Sequence, residues 1–290
     1  MLAIPRILLP VDFSERSAVA ARYAAALARR FHSTVTALHA IPPPYPVFGP
    51  EGAAMDIAEY LEQTKQCARN ELDKFCREHL EGVQTEALLE EGDPAHRIVD
   101  HAHDHQFGLI VMPTHGYGPF RRFILGSVTA KVLHDADCAV LTGAHLEEHM
   151  PPREVPVRSV VAAVDLGPQS ERTLLWAAGF AEACSHARLV VVHATPSLEG
   201  QVGEYFDPDW RGQFAKAASN QVAKLLARTG VNAEVMIAEG DPAGVVKGAA
   251  EKQGADLVVI GRGASTGTFG RLRAHAYSII RQSPCAVVSV

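Results

Sequence analysis

The sequence predicts an α/β protein of two tandem open-sheet domains, each a mostly parallel five-stranded sheet with helices on both faces, in a Rossmann-like arrangement. Three observations predict it. Short apolar runs alternate with segments of helical periodicity, which is the pattern of a parallel sheet covered on both sides. The second half repeats the first: Glu91-Gly92-Asp93-Pro94-Ala95 recurs as Glu239-Gly240-Asp241-Pro242-Ala243, and Leu109-Ile110-Val111-Met112 recurs at the same spacing as Leu257-Val258-Val259-Ile260. A repeat this long is a duplicated domain, not a solenoid unit. Finally, 290 residues is the length at which single cores stop growing and chains divide.

Taken in order, Ile7 to Val11 is an apolar run ending in Asp12-Phe13-Ser14. It reads as a strand feeding a helix, with Ser14 as N-cap and Val19, Tyr23, Ala26, Leu27 and Phe31 on one face. Val35 to Ile41 is the second strand. Pro42, Pro43, Pro44, Pro46 and Pro50 make the stretch from Pro42 to Gly52 irregular. A long helix from Met55 to Leu80 follows, then a strand at Thr85 to Leu89. Asp93 as N-cap and Pro94 at the first helical position open the next helix. Leu109 to Met112 and Ala139 to Thr142 are the fourth and fifth strands. Right-handed crossovers and a reversal of chain direction after the third strand set the ends of strands one and four side by side, so the crevice between them is the expected ligand site. Val11-Asp12 is answered by Val164-Asp165, and His39-Ala40 by His193-Ala194. The domains are thus placed at 1–142 and 158–290, with the proline- and charge-rich stretch 143–157 as linker.

Composition narrows the function classes. Hydrophobic residues are 47%, charged residues 21% and the net charge is −6, so there is no basic footprint for nucleic acid or an anionic membrane. No run reaches the roughly 20 apolar residues that span a bilayer. The apolar start is interrupted by Pro5, Pro10 and Asp12 and reads as a strand of the mature protein, in a cytoplasmic setting. The 5 cysteines are odd in number and lack C-x-x-C spacing, as expected of reduced, buried small hydrophobes; Cys67 and Cys76 would fall on opposite faces of their helix.

The most informative stretch is Met112 to Val128. It leaves a buried strand, passes through a glycine-containing loop and enters a helix at Gly126-Ser127. Glycines allow close backbone approach to an anion, and a helix N-terminus adds unpaired N–H donors and partial positive charge. Arg121 and Arg122 lie in the loop, either to neutralise phosphate oxygens or to solvate the surface.

Gly116, nine intervening residues and then Gly126-Ser127 resemble the universal stress protein family, whose ATP-binding signature is G-x2-G-x9-G-(S/T). Pro113 stands where the first glycine of that signature falls and has no N–H to donate. With the paired Val-Asp and His-Ala dipeptides, the resemblance covers nearly the whole chain as two tandem domains. It implies ATP, accompanied by Mg, as ligand: Asp12 and Ala40 at the adenine, Pro113 at a backbone contact, and Gly116, Gly126, Ser127 and Val128 at ribose and phosphates. It also implies an intrachain pseudo-dimer through the last strand of each domain, which would otherwise be an exposed edge. A homodimer through another surface stays open, and no protein partner is named by the sequence.

The second copy departs from the signature. From Gly261 it reads G-R-G-A-S-T-G-T-F-G-R-L-R-A-H-A, with Ala264 for the second glycine. Arg273 or Ala274 stands for Gly126, and Ala274 or His275 for Ser127, depending on the end from which one counts. Arg262, Arg271 and Arg273 keep it basic. One nucleotide per chain, in the N-terminal domain, is the expectation.

Other chemistry is less well supported. His101 and His105 would share a helix face as zinc ligands do, but no third ligand stands at a recognisable spacing, and a solvated helix end is the simpler reading. His39 and His193 read as structural histidines. There is no G-x-x-x-x-G-K-[ST] and no G-x-S-x-G, and Ser127 has no assignable base. Three readings remain: an ATP-binding stress or regulatory protein, a weak ATPase or nucleotidyl-transfer enzyme on the same scaffold, and a nucleotide-free interaction module.

Overall fold

In the computed structural model, the residues described are 2–43, 57–115, 125–143, 157–196, 209–262 and 274–290. The N-terminal half runs β1 (Arg6–Pro10), α1 (Glu15–Phe31), β2 (Thr34–Ile41), α2 (Ile57–His79), β3 (Thr85–Glu91), α3 (Pro94–Asp104), β4 (Leu109–Val111), α4 (Ser127–Asp135) and β5 (Ala139–Thr142). The C-terminal half repeats this as β6 (Ser159–Ala163), α5 (Ser170–Ala183), β7 (Arg188–Thr195), α6 (Asp209–Thr229), β8 (Glu234–Glu239), α7 (Pro242–Gln253), β9 (Leu257–Ile260), α8 (Ala274–Gln282) and β10 (Ala286–Ser289). Each half is a five-stranded parallel sheet, in the order β3-β2-β1-β4-β5 and its repeat β8-β7-β6-β9-β10. The expected neighbours β1 and β4 pair directly, Ile7 with Leu109 and Leu8 with Ile110.

Strand alternation sorts side chains into two cores. Ile7, Leu9 and Val11 point into the layer covered by α1, α2, α5 and α6, whereas Leu8 enters the layer covered by α3, α4, α7 and α8. Both layers run across the two halves, because β5 pairs antiparallel with β10 and makes one ten-stranded sheet.

Helix starts follow their local chemistry. The Ser14 hydroxyl accepts the Ser17 N–H at 3.2 Å and caps α1. Asp93 accepts the His96 N–H at 2.9 Å before Pro94, and Asp241 does the same for Ala243 and Gly244 before Pro242.

Several expectations shift. The buried face of α1 is a run of small residues, Ala20, Ala21, Ala24, Ala25 and Ala28 with Leu27, while Val19, Tyr23 and Phe31 are only half-buried. Small side chains bring the helix close to the sheet, and the larger ones flank it; Phe31 packs on Phe180 of the C-terminal half with ring centroids 5.5 Å apart. The strand after α2 extends to Glu91, and the strand at Leu109 stops at Val111. Cys67 is exposed, against the expectation of buried thiols, because it lies on the outer face of α2 opposite Cys76. Residues 44–56 and 144–156, which hold most of the proline-rich stretch and of the linker, lie outside the described residues.

Candidate functional site

A cavity of about 390 Å³ opens at the carboxyl ends of β1, β2 and β4. Its floor is Val11 and Asp12 from β1, His39 and Ala40 from β2, and Met112 and Pro113 after β4. Its wall is the first turn of α4, Gly126 to Thr129, with Pro94 and Ile98 of α3 beside it. The size suits a small-molecule ligand, and the location is where open parallel sheets bind them.

Of the residues singled out in the sequence, Asp12, Ala40, Pro113, Gly126, Ser127 and Val128 all line this one cavity. Gly116, Arg121 and Arg122 fall in 116–124, outside the described residues.

Asp12 is held by its own helix start. Its Oδ1 accepts the Ser14 N–H at 3.1 Å, the Ser14 hydroxyl at 2.6 Å and the Ser17 hydroxyl, while its N–H donates to Ser17 Oγ at 3.1 Å. The intervening Phe13 takes φ 61°, in the left-handed region, and its ring lies 4.4 Å from that of His39. His39 Nδ1 bonds the Val11 carbonyl at 2.7 Å, which ties the ends of β1 and β2 together as a structural histidine does. Sequence reasoning missed Ser17. Its signal was present, since Ser170 stands at the same distance after Asp165 and donates to it at 3.0 Å.

The opening of α4 lacks the side-chain cap found at α1, α3 and α7. Its N-cap is Gly126, which has no side chain to cap the first turn. Serine, aspartate or asparagine there would satisfy an N–H at N2 or N3; glycine leaves the first-turn amides of Ser127, Val128 and Thr129 for whatever occupies the cavity. With φ −59° and ψ 148°, Gly126 has a backbone that any residue adopts, so the glycine serves access and not conformation. Its own N–H is committed to the Thr114 carbonyl at 2.8 Å and is no longer an anion donor. Pro113 offers no N–H, but its carbonyl accepts the buried Thr129 hydroxyl at 3.0 Å and so pins the first turn of α4 to the end of β4. Thr129 is a second residue missed in the sequence.

The corresponding cavity in the C-terminal half is about 170 Å³. Its strand-end wall is preserved: Asp165 Oδ1 accepts Gly167 N–H at 2.8 Å, Leu166 takes φ 60°, and His193 Nδ1 bonds the Val164 carbonyl at 2.8 Å. The other end is crowded. A Cβ on Gly261, which takes the place of Pro113, would lie 2.8 Å from Thr173 Oγ1, and Thr173 stands where the N-terminal half has Ala20. Among the described residues α8 begins at Ala274, as α4 begins at Ser127, and the two helices end at matching positions. Arg262 does not belong to a basic loop, as its sequence neighbours suggested. It is 4% exposed, and its guanidinium donates to the carbonyls of Ala136, at 2.7 Å, and Cys138 in the other half. Residues 263–273, with Ala264, Arg271 and Arg273, lie outside the described residues.

His101 and His105 at the end of α3 lie with ring centroids 4.3 Å apart, and His101 also packs on Phe107. Burial first, and then His105, push the His101 pKa down. No cluster of three or more metal-ligating side chains occurs among the described residues.

The model of the universal stress protein family matches residues 3–142 and again 156–290. A universal stress protein of Methanocaldococcus jannaschii is 35% identical over 137 residues, covering 47% of this chain and 79% of that protein. One from Thermus aquaticus is 32% identical over 136 residues, covering 46% of this chain and 98% of its own length. Among solved structures, a universal stress protein from Archaeoglobus fulgidus aligns over 99% of this chain and 98% of its own, with a TM-score of 0.68 and 19% identity, a likeness of fold.

Proposed function

The chain belongs to the universal stress protein family, and from that premise we propose that it binds ATP in its N-terminal half as a stress-response or regulatory protein of the cytoplasm. The observation that carries this reading is the uncapped start of α4, facing a cavity whose far end is Asp12 and Ala40. A nucleotide fits that polarity. The base lies over the ends of β1 and β2, near Asp12 and Ala40, and the phosphates meet the amides of Ser127 and Val128 at the positive end of the helix dipole. Gly116, Arg121 and Arg122 belong to the same proposal as ribose and phosphate contacts. Among the described residues Asp12 is the one carboxylate lining the cavity, so Mg would be carried mainly by phosphate oxygens and water.

The C-terminal half is read as the non-binding partner of an intrachain pseudo-dimer, joined through β5 and β10. The antiparallel pairing of Thr142 with Val287, Leu141 with Val288 and Val140 with Ser289 supports that reading. The pairing also covers two strands that would otherwise be open edges.

Calorimetric titration of ATP into the purified chain tests the proposal. Saturable binding that Gly126→Val removes is the expected outcome, because a side chain there would enter the phosphate approach. A chain that takes up no ATP would point to the nucleotide-free interaction module. Turnover of bound ATP would point to an enzyme.

A further inference from the structure

Helix α4 is held at both ends by the half of the chain to which it does not belong. At its start, the Leu125 N–H, one residue before the N-cap Gly126, donates to Tyr277 Oη at 3.0 Å. At its end, Arg262 donates to the carbonyl of the C-cap residue Ala136 at 2.7 Å and to that of Cys138. Arg172 of α5 donates to the Asp137 carbonyl between them at 2.9 Å. The Arg262 cation also lies at the negative end of the α4 dipole.

Among the described residues, α8 is not held in the same way by the N-terminal half. Counting from the paired aspartates, from β4 and β9, and from the first residues of α4 and α8, the N-terminal counterparts of Arg172, Arg262 and Tyr277 are Val19, Thr114 and Ala130. Val19 and Ala130 have no polar side-chain atom, and the short Thr114 hydroxyl is engaged with His115 Nδ1 at 3.0 Å. Arg262 and Tyr277 follow Gly261 and Ala276 of the smaller cavity, so positions at the rim of the second cavity have become contacts to the first domain.

We infer that the C-terminal half is a positioning subunit for the nucleotide site of the N-terminal half, with Arg262 and Tyr277 as positioning residues that fix α4 so its first turn faces the cavity. The inference rests on the reading of that cavity as an ATP site. Only the phosphate end depends on α4, while Asp12 and Ala40 sit on strand ends that these contacts do not touch. The clamp therefore acts on the phosphates and not on the base, and small displacements of a preorganised donor set are expensive in affinity.

Two variants of the full chain test this. Tyr277→Phe removes one hydroxyl and leaves the ring, and Arg262→Lys keeps the charge but loses the two-pronged contact. Calorimetry with ATP and with adenosine should show ATP binding weakened about three- to tenfold in each variant, the worth of one hydrogen bond, with adenosine binding unchanged. Hydrogen exchange of amides 130–133, which follow the open first turn and begin with the Ala130 N–H bonded to Gly126, should quicken in the ligand-free variants. Equal losses for ATP and adenosine would mean general loosening and would overturn the inference. Unchanged ATP affinity, or unchanged exchange at those amides, would overturn it while leaving the ATP site standing. Failure of the unsubstituted chain to bind ATP would instead overturn the reading of the site, and the positioning role with it.

Discussion

The two halves of this chain share the sheet and the strand-end wall of the proposed site, and they differ at the wall made by the helix start. Both have an aspartate after the first strand bonded to a serine five residues on, a histidine bonded to the carbonyl before that aspartate, and an Asp-Pro helix start. At the opposite wall, Gly126-Ser127 opens one helix and Ala274 begins the other, and the cavities are about 390 and 170 Å³. Buried packing constrains both copies of a duplicated fold, and the Asp-Pro helix starts are kept with it. On the proposed reading, only the first cavity keeps its ligand cradle, and rim positions of the second carry contacts between the halves.

The sharpest way to break this comparison is to exchange the helix starts. Gly126→Val should lower ATP affinity by a hundredfold or more, on the order of 3 kcal/mol or greater, because two charge-assisted amide contacts are lost together. Ala274→Val should leave ATP affinity unchanged. Calorimetry that showed the opposite pattern would place the nucleotide in the C-terminal half.

Next in size is the junction. Arg262→Met strips the buried Ala136 carbonyl and the part-buried Cys138 carbonyl of their donor, and should cost about 2–3 kcal/mol in urea unfolding. The comparison sharpens with Arg172→Met, whose guanidinium is more exposed and should cost under about 1 kcal/mol.

The junction also marks where sequence reasoning stops. Local chemistry was legible: Ser14, Asp93 and Pro94 sit at their expected helix starts, and apolar runs located the strands to within a residue or two. Residues Asp12, Ala40 and Gly126 to Val128 converge on one cavity because strand ends and a helix start do so in any doubly covered parallel sheet. Contacts such as Arg262 to Ala136 were not legible, because they join positions far apart in the chain across an interface that no periodicity encodes. The alanine face of α1 was missed for a different reason: large side chains dominate a helical pattern, although close packing selects small ones.

Smaller effects separate shared from unshared roles. Asp12→Asn and Asp165→Asn each weaken a charge-assisted bond to a serine, so their stability losses should be similar, about 1 kcal/mol. Only Asp12→Asn should alter ATP affinity, and equal effects on affinity would erase the distinction between the halves.

The smallest effect concerns the thiols. Burial raises Cys76, Cys138 and Cys285 from 9.0 to about 11, with the Arg262 guanidinium opposing the shift at Cys138. Burial also raises Cys184, whereas Cys67 is exposed. At neutral pH a thiol reagent should modify Cys67 fastest, the half-buried Cys76, Cys138 and Cys285 more slowly, and the buried Cys184 slowest. These raised values favour the protonated thiol in the fold. Their stabilisation is complete below pH 9 and is lost as pH rises through about 11. A denaturation midpoint that did not fall over that window would contradict the burial of these groups.

The central claim is that one half binds and the other positions. Its most direct test is the number of ATP molecules bound per chain at saturation, measured by native mass spectrometry on the unsubstituted protein and on Gly126→Val. The account predicts one per chain, falling to none in the variant. Two per chain, or one that survives Gly126→Val, would contradict it.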